Sequence, residues 1–221
     1  MMETDWDAER KQMVAQQIRA RGVRSERVLA AMTDVPRHLF VPPERVTEAY
    51  RDTPLPIGAG QTISQPYIVA AISQALDLSG DENVLEIGCG CGYQAAVLSR
   101  LAGRVTSIEA LSGLAAGARE RLRQLGYSNV QVIETDGSAG WPVAGPYQAI
   151  LVSAAAPRVP APLLAQLSEG GRLVIPVGNR SEQTLLRIWR SRNRFETETI
   201  CGCRFVPLLG DYGWSGSSNL S

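Results

Sequence analysis

Residues 83–93 read N-V-L-E-I-G-C-G-C-G-Y, and this stretch decides the fold. Val84, Leu85 and Ile87 make a short apolar run, rich in the β-branched type that suits a buried strand. Gly88, Gly90 and Gly92 follow at alternate positions, and residues 94–101 read as a helix. A strand that ends in glycines and restarts as a helix is a tight βα turn. There the backbone can approach a ligand with no Cβ in the way, and the helix start offers free N–H groups. Working outward, residues 105–109 (V-T-S-I-E) read as a second strand that ends in an acid. Glu109 follows the turn by about 20 residues, the distance at which a carboxylate meets ribose hydroxyls in nucleotide-binding α/β folds. A solvated strand-end glutamate would look the same in isolation.

Two nucleotide-derived ligands use such a turn. A dinucleotide site wants G-x-G-x-x-G, but here the third glycine comes one position early and Tyr93 takes its slot. The acid Glu86, two residues before the first glycine, instead completes E-x-G-x-G-x-G. This resembles the pattern of S-adenosyl-L-methionine (AdoMet) methyltransferases of the Rossmann-like class. AdoMet has no pyrophosphate and needs no strong anion hole. It carries an ammonium and a sulfonium, for which a nearby carboxylate is useful. Residues 130–133 (V-Q-V-I) read as a third strand, followed by Asp136-Gly137. That pair can be a plain turn, but in methyltransferases of this class an acid here faces the adenine amino group. Residues 149–152 (A-I-L-V) read as a fourth strand that runs into the small residues Ser153, Ala154, Ala155 and Ala156, which leave room for methyl donor and acceptor.

The 221 residues suffice for one α/β domain with a real core, or for one domain plus an extension. Lys plus Arg and Asp plus Glu both number 22, so a protein held to nucleic acid mainly by charge is disfavoured. No apolar run reaches the roughly 18 residues that span a membrane, and residues 1–7 are acidic, without a signal peptide's apolar core. The expectation is a cytoplasmic protein with no membrane partner. The four cysteines form two C-x-C pairs, Cys89 with Cys91 and Cys201 with Cys203. Zinc sites favour C-x-x-C, and a metal at the first pair would displace the ligand of the turn, so reduced thiols and no metal are expected.

In chain order, residues 7–21 read as a helix stopped by Gly22, and residues 26–32 as a second helix capped by Ser25. His38, the single histidine, lies among apolar residues and reads as packed rather than catalytic. Residues 52–65 carry too much Pro and Gly for a helix and read as a long functional loop or lid. Pro66 opens a helix over residues 67–76, with Ser64 near its cap. Ser64 reads equally as a cap or as a hydroxyl placed to hold a carboxylate. Residues 169–172 (E-G-G-R) read as a turn into a buried strand at residues 173–178. Residues 184–190 and 195–200 read as a strand pair, and residues 204–208 as an edge or irregular strand because of Pro207. Residues 210–221 are rich in Gly and Ser and read as a flexible tail.

Five segments together resemble the protein-L-isoaspartate O-methyltransferase family over about residues 24–209. They are V-P-R-H-L-F-V-P (35–42), G-Q-T-I-S-Q-P-Y (60–67), V-L-E-I-G-C-G-C-G-Y (84–93), E-G-G-R-L-V-I-P-V-G (169–178) and R-F-V-P-L (204–208). Q-T-I-S-Q-P is the family's own mark and favours the functional reading of Ser64. Cys89 and Cys91 depart from the common bacterial turn G-T-G-S-G-Y. Both are small, and little change in cofactor binding is expected. The resemblance implies a Rossmann-like α/β fold, a doubly wound and mostly parallel sheet with helices on both faces and an N-terminal helical cap. One domain is expected: helical segment and active-site loop at 1–78, AdoMet-binding core at 79–180, C-terminal strands at 181–210 and flexible tail at 211–221.

It further implies methyl transfer from S-adenosyl-L-methionine, giving S-adenosyl-L-homocysteine, to the free α-carboxylate of L-isoaspartyl residues in damaged proteins and peptides. Repair then proceeds through a succinimide. On this reading Ser64 is catalytic. Thr62, Ile63, Glu86, Gly88, Cys89, Gly90, Glu109, Ala110, Asp136 and Gly137 surround the cofactor, while Ser64, Gln65 and Val206 meet the substrate, Val206 by strand addition. A monomer is expected. The acceptor, with an α-carboxyl pKa of roughly 3.5, is already ionised at neutral pH and needs no general base. Two alternatives stay open: a relative diverted to an aspartate of a dedicated peptide, and a small-molecule AdoMet-dependent methyltransferase.

Overall fold

The computed structural model describes residues 5–192 and 194–215. The Asp5 carboxylate accepts N–H bonds from Asp7 and Ala8 and starts helix α1 (Trp6–Met13). The helical path expected over residues 7–21 is not uniform. It widens to a π-turn at Val14–Ile18, tightens to a 3-10 turn at Arg19–Arg21, and stops at Gly22 with φ +97°. Helix α2 (Glu26–Asp34) is capped as expected, its Ser25 hydroxyl accepting from the Val28 N–H at 3.4 Å. These turns form the N-terminal cap. Met13, Ile18, Leu29, Met32 and Phe40 bury themselves in one core with the helices that follow. Here His38 stacks on Trp6, ring centres 5.0 Å apart, and its Nδ1 lies 2.7 Å from the Tyr50 hydroxyl. Burial, then the charge of Arg10, pushes its pKa down. It is a packed residue.

The stretch read as a bare loop contains a short hairpin, β1 (Leu55–Gly58) against β2 (Gln61–Ile63). It closes through three consecutive positive φ angles at Gly58, Ala59 and Gly60. Helix α3 (Pro66–Leu76) begins at Pro66, whose missing N–H costs nothing at a helix start. Then come β3 (Asn83–Ile87), α4 (Tyr93–Ser99), β4 (Arg104–Glu109), α5 (Ser112–Gln124), β5 (Val130–Glu134), β6 (Tyr147–Val152), the single turn α6 (Ala161–Ala165), β7 (Leu167–Gly178), β8 (Gln183–Ser191) and β9 (Arg194–Cys203).

Seven strands make one sheet in the order β5-β4-β3-β6-β7-β8-β9. The first five are parallel; β8 and β9 return antiparallel. β3 and its neighbours β4 and β6 are buried apart from one of the first two residues of each, which is why they read as near-continuous apolar runs. One face packs under the cap, α3, α4 and α5; the other carries α6 with Trp141 and Ala144. The doubly wound fold is thus the one the sequence implied.

Two expectations differ. The turn expected at residues 169–172 lies inside β7, where the pairing to β6 slips and Gly170 takes φ +73°. A glycine-bearing irregularity, not a chain reversal, absorbs three extra residues of β7: two residues advance on β6 from Tyr147 to Ala149 while five advance from Leu167 to Arg172. The tail expected from residue 210 is docked as far as Trp214. The Asp211 N–H donates to Asp136, the Tyr212 N–H to the Ser138 hydroxyl, and Trp214 Nε1 to the Ala155 carbonyl. Residues 216–221 of that expectation lie outside the described residues.

Candidate active site

The sheet reverses its winding between β3 and β6: β3 leads to β4 and β5 on one side, β6 to β7 on the other. Open α/β sheets hold ligands outside the carboxyl ends of the strands at such a switch. A cleft lies there, lined by the ends of β3, β4 and β6, the hairpin that precedes α3, and the segment after β9. Its empty volume, with the solvent-open mouth included, is about 890 Å³.

The glycine turn forms one wall. The N–H groups of Gly88 and Cys89 both donate to the Ile108 carbonyl, at 2.8 and 3.0 Å, which folds the turn back over β4. Gly88 has φ +91°, a conformation that side-chain-bearing residues rarely adopt. Glu109, the last residue of β4, reaches back to this turn. Its Oε2 accepts the Gly90 N–H at 2.8 Å and its Oε1 the Leu111 N–H at 3.0 Å. A carboxylate has about four lone-pair sites, so two remain to accept hydroxyls from a ligand in the cleft. Gly137 leaves no room for a side chain: a Cβ there would sit 2.7 Å from Ile87 Cγ2.

Of the residues singled out by sequence, Thr62, Ile63, Ser64, Gly88, Cys89, Gly90, Glu109, Ala110, Gly137 and Val206 line the cleft together. Ser153 and Ala154 line it as the small residues read there imply. Ser64 is not the cap of α3. That position belongs to Gln65, without a side-chain cap bond, and among the described residues the Ser64 hydroxyl has no hydrogen-bond partner. It stands free to bind a ligand.

Three expected residues do not line the cleft. Gln65 is where the chain turns into α3, and the turn carries it out of the lining. Glu86 is one residue short of the strand end, so its side chain projects into the layer beneath the helices rather than out of the sheet's edge. It is fully buried, accepts from the Ser107 hydroxyl, and leaves Oε1 without a partner. Burial pushes its pKa up to about 8. Asp136 uses its carboxylate on the N–H groups of Ser138 (2.7 Å) and Asp211 (3.1 Å). Burial would raise its pKa, but these bonds hold it below the usual range. Gly137 takes the place in the wall expected of it. The edge proposed at Val206 is also partly used: its carbonyl accepts the Ala155 N–H at 2.7 Å.

Sequence reasoning missed Gln61, Val69, Gln94, Leu111 and the Pro207–Leu208–Leu209 run, all in the lining. Gln94 had a local signal, a lone amide at the start of the apolar helix Y-Q-A-A-V-L-S. The run after β9 was marked only by the family segment R-F-V-P-L, and its place in the wall depends on contacts to residues far away in the chain.

Both thiols of the turn are buried, and burial raises their pKa values, so they stay neutral thiols. All four cysteines are free. Among the described residues no cluster of three or more His, Cys, Asp or Glu could hold a metal ion. No helix described is long and apolar enough to cross a membrane. The site therefore offers a free hydroxyl, a carboxylate fixed to the turn, and small residues between them. That is suited to aligning a ligand and an acceptor, without a nucleophile and base pair.

The family profile for "Protein-L-isoaspartate(D-aspartate) O-methyltransferase (PCMT)" matches residues 8–213. A relative from Methanoregula boonei, named Protein-L-isoaspartate O-methyltransferase, is 55% identical over 206 residues, covering 93% of this chain and 95% of its own. One of the same name from Syntrophus aciditrophicus is 54% identical over 211 residues, 94% and 97% of the two chains. A solved protein-L-isoaspartate O-methyltransferase superimposes with a TM-score of 0.83 at 28% identity, over 92% of this chain and 67% of that one. A Plasmodium falciparum structure, described as a putative protein of the same kind in complex with S-adenosyl-L-homocysteine, superimposes at 0.78. It is 23% identical over 90% of this chain and 98% of that one, and shows the fold alone.

Proposed function

Since this chain belongs to the protein-L-isoaspartate(D-aspartate) O-methyltransferase family, we propose that Ser64 and the glycine turn carry out the family's reaction in the cleft. The enzyme transfers the methyl group of S-adenosyl-L-methionine to the free α-carboxylate of L-isoaspartyl residues, which opens repair through a succinimide. The residues present fit that cofactor. Gly88, Gly90 and Gly137 give a cradle that side chains would fill, and Glu109 presents its spare lone pairs to ribose hydroxyls. When bound, AdoMet supplies an electrophilic methyl. The rest is done by this chain's own groups.

The single observation that carries the mechanism is the unpartnered Ser64 hydroxyl on the cleft wall. It donates to one oxygen of the acceptor carboxylate and leaves the other free to form the new C–O bond. The acceptor is ionised throughout the neutral range, so no proton has to leave in the step. Alignment and exclusion of water supply the acceleration. Leu208 and Leu209, from the segment after β9, line the cleft and add apolar wall that keeps water out. The neighbouring backbone nitrogen then attacks the ester carbonyl, closing the succinimide as the C–O bond breaks and methoxide leaves with the nitrogen's proton as methanol, without help from the protein. The even charge balance supports a partner set of protein and peptide chains rather than nucleic acid. A cytoplasmic monomer is part of the same reading.

Ser64→Ala tests this. With a saturating isoaspartyl peptide its rate should fall about 10- to 150-fold, the worth of one positioning hydrogen bond to a charged group. Cofactor affinity should hold. The wild-type rate should change little between pH 6 and 8. Full activity in Ser64→Ala, or a wild-type rate that climbs tenfold per pH unit, overturns the role given to Ser64.

A further inference from the structure

The expected partner for the cofactor's ammonium, Glu86, is sealed beneath the turn, which raises the question of what takes its place. The cleft lining holds one side-chain amide on the helix that follows the turn, Gln94. It is 9% exposed, and its Nε2 lies 3.0 Å from the Ser73 hydroxyl. The orientation of an amide is fixed by its partners, and here the partner decides it. Ser73 Oγ donates its only proton to the Val69 carbonyl at 2.8 Å, one turn back on α3. It can therefore only accept from Gln94, and the NH₂ group must face it. That leaves the carbonyl oxygen, Oε1, as the free end. Among the described residues nothing donates to Oε1, yet it is not one of the sealed, unpartnered atoms such as Glu86 Oε1.

Resting on the reading of the cleft as an AdoMet site, we propose that Gln94 is a cofactor-binding residue whose Oε1 accepts a hydrogen bond from the α-ammonium of the cofactor's amino-acid end. Ser73 is the positioning residue that holds the amide this way round. The division of labour has a physical reason. A carboxylate in this place would sit close to the acceptor carboxylate held by Ser64, and like charges at short range oppose each other's ionised forms. A neutral amide binds the ammonium by the same hydrogen bond without repelling the acceptor. Val69, which accepts from Ser73, itself lines the cleft, so the chain Gln94–Ser73–Val69 is anchored on two helices that do not depend on the ligand.

Calorimetry with two probes separates the possibilities. S-adenosyl-L-homocysteine carries the ammonium; 5′-methylthioadenosine has the same nucleoside and thioether without the amino-acid end. Gln94→Leu should weaken S-adenosyl-L-homocysteine roughly 10- to 150-fold, the range for one hydrogen bond to a charged group. Binding of 5′-methylthioadenosine should stay within about twofold. Ser73→Ala, which frees the amide to turn over, should give a smaller loss for the first probe and again none for the second. Equal losses for both probes would make Gln94 merely structural, and no loss for either would remove it from the site. If the wild-type protein bound neither probe, the reading of the cleft itself would fail, a result distinct from both. Gln94→Glu gives a further check, made on protein whose melting temperature matches wild type, because Ser73 Oγ must then swing its proton from Val69 to the carboxylate. It should keep or raise the affinity for S-adenosyl-L-homocysteine while raising the KM for the isoaspartyl peptide. A lowered cofactor affinity in that variant would also overturn the proposal.

Discussion

Glu86 and Glu109 end neighbouring parallel strands, and one residue of strand separates their fates. Glu109 is the last residue of β4 and turns outward to the glycine turn, where backbone N–H groups meet both oxygens. Glutamine at 109 must set its NH₂ against one of those donors, Gly90 or Leu111. Glu109→Gln should therefore weaken S-adenosyl-L-homocysteine by roughly 1–3 kcal/mol, read by calorimetry, since a bond is lost and a donor left unpaired. An unchanged affinity in a folded variant would put Glu109 outside the site. Glu86 is the last but one residue of β3 and is shut in. Burial first, with Glu109 adding and the Ser107 hydroxyl opposing, moves its pKa up to about 8. The folded protein then holds a proton that the unfolded chain releases near pH 4.3. This contribution to stability is full below that pH. It falls as pH rises toward 8, by at most about 1.4 kcal/mol per pH unit, and is gone above. Glu86→Gln cannot ionise and should melt progressively higher than wild type between pH 5 and 8.5. Melting curves that stay parallel across that range would show Glu86 ionised in the fold.

At the scale of elements, the segment after β9 works as a strap. Leu208 N–H donates to the Ala155 carbonyl at 2.8 Å, Trp214 N–H to the Leu208 carbonyl at 2.7 Å, and Asp136 anchors Asp211. Leu208 and Leu209 thereby close one side of the cleft, although the strap is not part of the main sheet. Gly210 is the tight point. It has φ +130°, and a Cβ would come 2.1 Å from Asp136 Oδ1. Gly210→Ala should push the strap off Asp136, weaken S-adenosyl-L-homocysteine several-fold, and speed amide exchange over residues 206–214 while leaving the far-UV spectrum unchanged. If affinity survives with exchange accelerated, the strap plays no part in cofactor binding. At the other end of the cleft the cap holds the helix after the turn. Phe40 packs edge-on to Tyr93, ring centres 5.5 Å apart, and the buried Arg37 guanidinium lies 4.9 Å from the same ring.

For the whole molecule, the cleft gathers residues 61–64, 69, 87–91, 93–94, 108–111, 137, 153–154 and 206–209. A ligand that touches all of them ties the hairpin, the parallel core and the strap into one unit. At 100 times its Kd it should stabilise the fold by about 2.7 kcal/mol. For a chain of this size that is a rise in Tm of roughly 5–10 °C. Ser64→Ala should show the same rise with S-adenosyl-L-homocysteine, because its loss lies on the acceptor side. A smaller rise in Ser64→Ala would move Ser64 into the cofactor's own shell.

The fold and half of the site were legible in the sequence because they are local. A parallel core strand is buried on both faces and reads as an apolar run. A βα turn that must let backbone approach a ligand reads as spaced glycines. Glu109 follows from the length of one βα unit. The residues around Ser64 fit a cap or a ligand-holding hydroxyl equally; the resemblance of Q-T-I-S-Q-P favoured the second, and in the structure Gln65 holds the cap position. Tertiary structure alone decided the rest, because it turned on which way a side chain points and on what arrives from far along the chain. Position along the strand, not residue type, separates them: Glu86 sits opposite Ser107 within the sheet, while Glu109, on the same face, lies one residue past the last β3 pairing. Asp136 is claimed by Asp211, 75 positions later, and so fixes a strap where composition suggested a loose tail. The Gln94 amide is turned with its NH₂ to Ser73 only because α3 places that hydroxyl beside it. No periodicity records such meetings, since they arise when separate elements pack on one sheet.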